Sequence, residues 1–220
     1  MDVLLSQVTR ISAILFFTLC KTRRRYLKDF GYSELYKATL AELIGTFFLT
    51  LAALLSGSPF AVGLTLAAFV YAIGDISGCH VNPAVTVGLL VRRKLPILWG
   101  VAYILAQLIG AILARLIAAL INPLPASYAS GNIFAEFFGV AFLILTVMAV
   151  SDNFVPKPGS GVAIGAALAA GLLTSKGILN PAIAVAMGLP LSPGTWAALL
   201  GGLVFALISL LYSTQKTSPQ

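Results

Sequence analysis

The tripeptide Asn-Pro-Ala occurs twice, at Asn82-Pro83-Ala84 and at Asn180-Pro181-Ala182, each time between a long apolar span and an apolar stretch too short to cross a bilayer. Asn is a strong N-cap, because its side-chain oxygen accepts from the first free helix amides. Proline is favoured at the next position, where its missing N–H costs nothing. Asn-Pro therefore reads as a helix start, and the stretches at about 83–91 and 181–189 read as half-helices. At about 1.5 Å per residue each covers only half of a hydrocarbon core. Two half-helices that meet inside a membrane make a pore for small uncharged molecules. Each Asn is expected to keep its NH2 free to donate into that pore, and each helix N-terminus adds about half a positive charge. Cations are repelled there. A passing water gives both lone pairs to the two Asn donors, which breaks a proton wire.

The rest of the chain reads as the membrane part that such half-helices need. Of its 220 residues 59% are hydrophobic and 10% charged, against about 25% charged in a soluble domain. Six long apolar spans run roughly over 36–55, 60–76, 96–121, 132–150, 160–174 and 194–213, enough for the ~20 residues that a spanning helix requires. Short turns join them, such as Ser56-Gly57-Ser58-Pro59 and Asn122-Pro123-Leu124-Pro125. The expected fold class is an all-α membrane protein with six transmembrane helices and two re-entrant half-helices. With the N-terminus inside, twelve of the fourteen basic residues fall on the cytoplasmic side, among them Lys21, Arg23, Arg24, Arg25, Arg92, Arg93 and Lys94. Only Arg115 and Lys176 fall outside, near the outer interface, where they read as snorkelling; the alternative for Lys176, four before Asn180, is to return a positive charge to the pore mouth. Both termini are then cytoplasmic, in a cell (plasma or inner) membrane. The net charge of +7 is accounted for by that bias, so a nucleic-acid partner is not needed. Two cysteines, Cys20 and Cys79, do not make a disulfide framework.

The sequence also repeats. Leu40-Ala41-Glu42-Leu43-Ile44-Gly45 matches Phe134-Ala135-Glu136-Phe137-Phe138-Gly139, and each Glu precedes its Asn-Pro-Ala by 40 or 44 residues. Each copy, about 36–121 and 132–213, holds three full spans. Three is odd, so the second copy enters from the opposite face, and an inverted repeat with broken helices places the site at the midplane. Gly63 and Gly165, in the spans before the two loops, read as packing positions where backbones approach closely. The channel domain is expected over 34–214, with a cytoplasmic tail at 215–220. Residues 1–33 do not repeat. Leu4, Leu5, Val8, Ile11, Leu15 and Leu19 recur at helical spacing before Lys21 to Arg25, as in an interfacial amphipathic helix with a polybasic flank. A seventh span would bury Arg10.

Glu42 and Glu136 are carboxylates inside apolar spans, candidates for function by default. They read as acceptors that hold the pore loops in place, since no partner base for a proton relay is visible. His80, the only histidine, reads as a loop-holding residue, with a pH gate as the alternative. Cys79, three before Asn82, reads equally as pore-lining or as a small buried residue. Asp75 reads as a solvated helix-end carboxylate.

The segment Ile76-Ser77-Gly78-Cys79-His80-Val81-Asn82-Pro83-Ala84-Val85-Thr86 resembles the first pore loop of the aquaporin and aquaglyceroporin (major intrinsic protein) family. The two Ala-Glu-x-x-Gly helices and the second Asn-Pro-Ala resemble it too, and the resemblance covers roughly residues 36–213. It implies one pore per subunit and a homotetramer, and it supports the loop-holding reading of the two glutamates. It also implies an outer selectivity filter of four positions. Most of the family has an Arg three after the second Asn; here that position is Ile183. The others are Val62, Gly177 and either Ala166 or Leu168, all apolar or small. Such a filter is expected to be wider and greasier than one with Phe, His and Arg, and Ile183-Ala184 also departs from the Arg-Asp of glycerol channels. The resulting expectation is a passive channel for water or small uncharged solutes such as ammonia. A closed or structural membrane protein of the same fold is the alternative. One His and two unpaired Glu do not supply an intramembrane enzyme. No nucleotide loop, metal-ligand spacing, cofactor motif or coupling-ion cluster is apparent.

Overall fold

The computed structural model describes residues 32–129 and 131–213. The chain forms two units, residues 1–36 and 37–220. Of the first, only the opening of a helix from Tyr32 is described, so the expectations for residues 1–31 and for the tail at 215–220 lie outside the described residues.

Among the described residues eight helices follow in order: α1 Tyr32–Ser56, α2 Pro59–Ser77, α3 Pro83–Val91, α4 Ile97–Ile121, α5 Ile133–Ser151, α6 Ser160–Ser175, α7 Pro181–Ala186 and α8 Pro193–Ile208. A 3-10 turn, Lys157–Gly159, leads into α6, and another, Ser209–Leu211, extends α8. Six of these elements are long and apolar enough to cross a membrane, as the sequence leads one to expect. Helix starts are written locally. Asn132 Oδ1 accepts from Phe134 N at 2.9 Å and Ala135 N at 3.2 Å, and Ser192 Oγ accepts from Thr195 N at 3.2 Å. α2 stops at Gly78, whose left-handed φ of 86° turns the chain into the first loop. The second half-helix is shorter than the expected 181–189. It stops at Ala186 because Gly188 takes φ 81° and Leu189 N returns to Ala184 O at 2.8 Å.

The helices pair by backbone approach at small residues, and the pairs repeat. A Cβ on Gly63 of α2 would lie 2.6 Å from Gly165 O of α6, and Gly63 O in turn blocks a Cβ on Gly165. Gly110 of α4 sits on Leu43 O of α1, while Gly201 of α8 sits on Phe137 O of α5. Leu43 and Phe137 each follow the intramembrane Glu of their own repeat, so the same contact is made twice. Likewise Gly202 of α8 packs on Ala84 of α3, and Ala111 of α4 clusters with Ala182 of α7.

Leu49, Leu66, Val81 and Val85 of the first half join Val140, Leu143, Ile144, Met148 and Leu179 of the second in one buried cluster. Outward faces are apolar too: Leu64, Leu98, Leu105, Leu120 and Phe134 are more than half exposed. A shell of that kind suits hydrocarbon, and helices satisfy their backbone groups without water.

Candidate functional site

The two Asn-Pro-Ala segments meet in the middle of the molecule. Both asparagines have extended backbones, φ −157° at Asn82 and −136° at Asn180, and act as N-caps with Pro following. Asn82 Oδ1 accepts from Ala84 N at 2.8 Å, and Asn180 Oδ1 accepts from Ala182 N at 3.0 Å. The Nδ2 groups cross between the repeats: Asn82 donates to Leu179 O at 3.0 Å and Asn180 to Val81 O at 2.9 Å. This corrects the expectation of a wholly free NH2. Each amide has two hydrogens, and one is committed to the opposite loop.

Those accepting carbonyls belong to residues in an unusual conformation. Val81 has φ 43° and Leu179 φ 57°, and a β-branched residue at positive φ is a clear outlier. The buried carboxylates hold both. Glu42 accepts from His80 N at 2.8 Å and Val81 N at 2.6 Å. Glu136 accepts from Ile178 N and Leu179 N, both at 2.7 Å. The arrangement is the same in each half: the two amides before the Asn point at the Glu of that repeat.

Glu42 has more company. Ser77 Oγ donates to it at 2.7 Å and Gln107 Nε2 at 2.8 Å. Gln107 also donates to Thr86 Oγ1 at 3.0 Å, Thr86 donates to Asn82 O, and His80 Nδ1 lies 3.2 Å from Thr86 Oγ1. Tyr103 OH donates to Ser77 O at 2.9 Å and its ring meets that of His80 edge-on. Gln107, Ser77, Thr86 and Tyr103 escaped the sequence reading. A lone amide in the apolar span 97–121 was the signal that could have found Gln107.

Two adjoining cavities lie at the site. The inner one is bordered by both asparagines, His80, Val62, Leu66, Leu168 and Ile183, among others, and has about 10 Å³ of room for the centre of a water molecule. That is about what one water needs. The second opens outward, has about 390 Å³ of such room, and is lined by Val62, Lys176, Gly177, Ile178, Ile183 and Met187 with other small and apolar residues. Val62, Ile178 and Ile183 line both, so the cavities adjoin there. Of the pair left open by the sequence, Leu168 borders the inner cavity while Ala166 is exposed on the other side of α6. Cys79 borders neither cavity and is buried in the apolar cluster.

One charged group differs from expectation, and a second gains a partner. Arg115 does not simply snorkel: it is half-buried and Nη1 donates to Ala186 O, the last carbonyl of α7. Asp75 is exposed as expected, but it pairs with Lys157 at 2.7 Å. At the other end of α3, Arg92 pairs with Asp152 at 2.8 Å and also donates to Ser209 Oγ; Lys94 reaches the same carboxylate at 2.7 Å. Burial pushes the Asp152 carboxyl up, but hydrogen bonds from Lys94, Arg92 and Ser213 outweigh it and leave the group below the usual carboxylate range.

The model of the major intrinsic protein family matches residues 29–212. The chain belongs to that family. It is 35% identical to Aquaporin AqpM of Methanothermobacter thermautotrophicus, over 79% of this chain and 86% of that one. It is 33% identical to Aquaporin Z of Rhodopseudomonas palustris, over 81% and 94%. The X-ray structure of the aquaglyceroporin from Plasmodium falciparum superposes with a TM-score of 0.62 at 19% identity, covering 81% of this chain and 96% of that one; at that identity the likeness is one of fold. Major intrinsic proteins are channels, not enzymes, and the chain is accordingly a multi-pass membrane protein of a family that passes water and small solutes passively.

Proposed function

We propose that this major intrinsic protein is an open channel for water and small uncharged solutes, ammonia foremost, with its narrowest passage between Asn82 and Asn180. The observation that carries this reading is the inner cavity, which both asparagines border and which adjoins an apolar outer vestibule. Each Asn has one N–H beyond the cross-bond and the cap, enough to donate to a molecule in single file. Val62, Leu168, Gly177 and Ile183 form the outer filter in this reading. It offers no charge and no aromatic ring, so a passing solute need not exchange hydrogen bonds with a fixed cation there. Glu42, Glu136 and His80 hold the loops, and Cys79 is a packing residue. Both termini are cytoplasmic, on the strength of the basic-residue bias. In this reading four copies assemble.

A closed channel of the same fold is the second reading. The small inner cavity favours it, because Leu49, Leu66, Leu143 and Leu168 border the asparagines, and an apolar constriction can gate by dewetting.

Stopped-flow scattering on proteoliposomes separates the two. The wild type is expected to pass water and ammonia well above empty liposomes. Ile183→Arg, at the junction of the two cavities, is expected to cut ammonia flux about tenfold, on the order of 1.4 kcal/mol in the barrier, and water flux less. Wild-type fluxes equal to those of empty liposomes would leave the closed reading standing.

A further inference from the structure

The outer vestibule has one charged side chain, and its backbone is in a conformation that lysine does not favour. Among the described residues lining that cavity, Lys176 is the sole ionisable one; the others are Ala, Gly, Ser, Pro, Val, Leu, Ile and Met. It makes no ion pair among the described residues. It is exposed and follows directly on α6, with φ 51° and ψ 25°, its N–H returning to Leu172 O at 2.9 Å. A helix end of this shape ordinarily takes Gly or Asn. A glycine stands next to it, at Gly177, yet the left-handed position is given to lysine.

We infer that Lys176 sets the charge selectivity of the outer mouth, its ammonium repelling cations from the vestibule before they reach the inner passage. The vestibule walls are mostly apolar and poorly polarisable, and walls of that kind focus the field of a single charge into the opening. No carboxylate lines the vestibule itself; Glu136 stands behind Gly177, with its oxygens turned to the amides of Ile178 and Leu179. Neutral solutes feel no such barrier, so water and ammonia pass unhindered while sodium and other small cations are turned back at the entrance. The simpler role of a lysine at a helix C-terminus, complementing the last carbonyls, predicts an effect on stability and none on ion leak. This inference rests on the open-channel reading above.

The test uses the full chain in liposomes, with water flux and sodium leak read in the same vesicles, the latter by an entrapped sodium-sensitive dye. Lys176→Arg keeps the charge and is expected to match the wild type. Lys176→Gly relieves the backbone and removes the charge; Lys176→Glu reverses it. Both are expected to raise sodium leak, the Glu variant on the order of tenfold, with water flux within about twofold of wild type. The rise is expected to shrink at high salt, where the Debye length falls to about 3 Å. A Lys176→Glu channel that conducts water but leaks no more sodium than the wild type overturns the inference. Absence of water flux in the wild type is a different result: it removes the open-channel reading, and the inference falls with it.

Discussion

Glu42 and Glu136 occupy equivalent places in the two repeats, but among the described residues they are unequally furnished. Glu42 accepts from four donors, two loop amides, Ser77 Oγ and Gln107 Nε2. Glu136 accepts from the amides of Ile178 and Leu179. Removing a carboxylate leaves each donor buried without an acceptor, and each orphan costs about 1–3 kcal/mol. Glu42→Ala is therefore expected to lower stability more than Glu136→Ala, by about 2 kcal/mol or more, read as a larger drop in the thermal midpoint of the detergent-solubilised protein. Equal drops would mean that Ser77 and Gln107 add nothing to the first loop. At this scale the glutamates were legible, since a carboxylate in an apolar span announces itself. The Gln107–Thr86–Ser77 network was not, because its members are 21 to 65 positions from their partners and become neighbours only once the helices pack. The asparagines were half legible: the cap is local, but the cross-bonds to Leu179 and Val81 depend on the opposite loop.

Among elements, the α2–α6 crossing is the tightest test of the packing. The Cβ of any residue at Gly63 would meet the Gly165 carbonyl and the Ala169 side chain, and neither can swing away as a long side chain can. Gly63→Leu is expected to cost about 3 kcal/mol or more, the upper range for overpacking, and to reduce water flux because Val62 lines both cavities. The measurement is the thermal midpoint beside proteoliposome flux; an unchanged midpoint would mean the crossing yields more easily than its geometry allows. The six spans and the first half-helix could be read from apolar length and Asn-Pro starts. The early end of α7 could not, because Gly188 ends it through a left-handed turn and the apolar run simply continues past it. Arg115 was misread for a related reason: a sequence tells that a basic residue lies near the interface, not that a short helix ends beside it.

For the whole molecule, the inverted repeat is carried by contacts that recur in pairs, Gly110 on Leu43 and Gly201 on Phe137. These pairs use up the small residues inside one chain and leave large apolar ones such as Leu64, Leu98 and Phe134 on the outside. Four copies are expected to share part of that surface, and native mass spectrometry from mild detergent should give four chains; a single chain under several detergents would remove the assembly from the proposal. Fold class was legible because membrane length, the repeated Ala-Glu-x-x-Gly and the doubled Asn-Pro-Ala agree with one another. Solute choice was not, since in the proposed reading it depends on how closely Val62, Leu168, Gly177 and Ile183 approach one another once the helices pack.

The crossed bonds at the centre also bear on the order in which the molecule is made. Val81 O finds its partner on Asn180 and Asn82 its acceptor on Leu179, nearly one hundred positions later in synthesis. While the first three spans emerge from the ribosome, their loop has a donor and an acceptor at its tip with nothing to meet. The passage closes into shape only when the second loop arrives, so neither half of the chain, made alone, holds a finished pore.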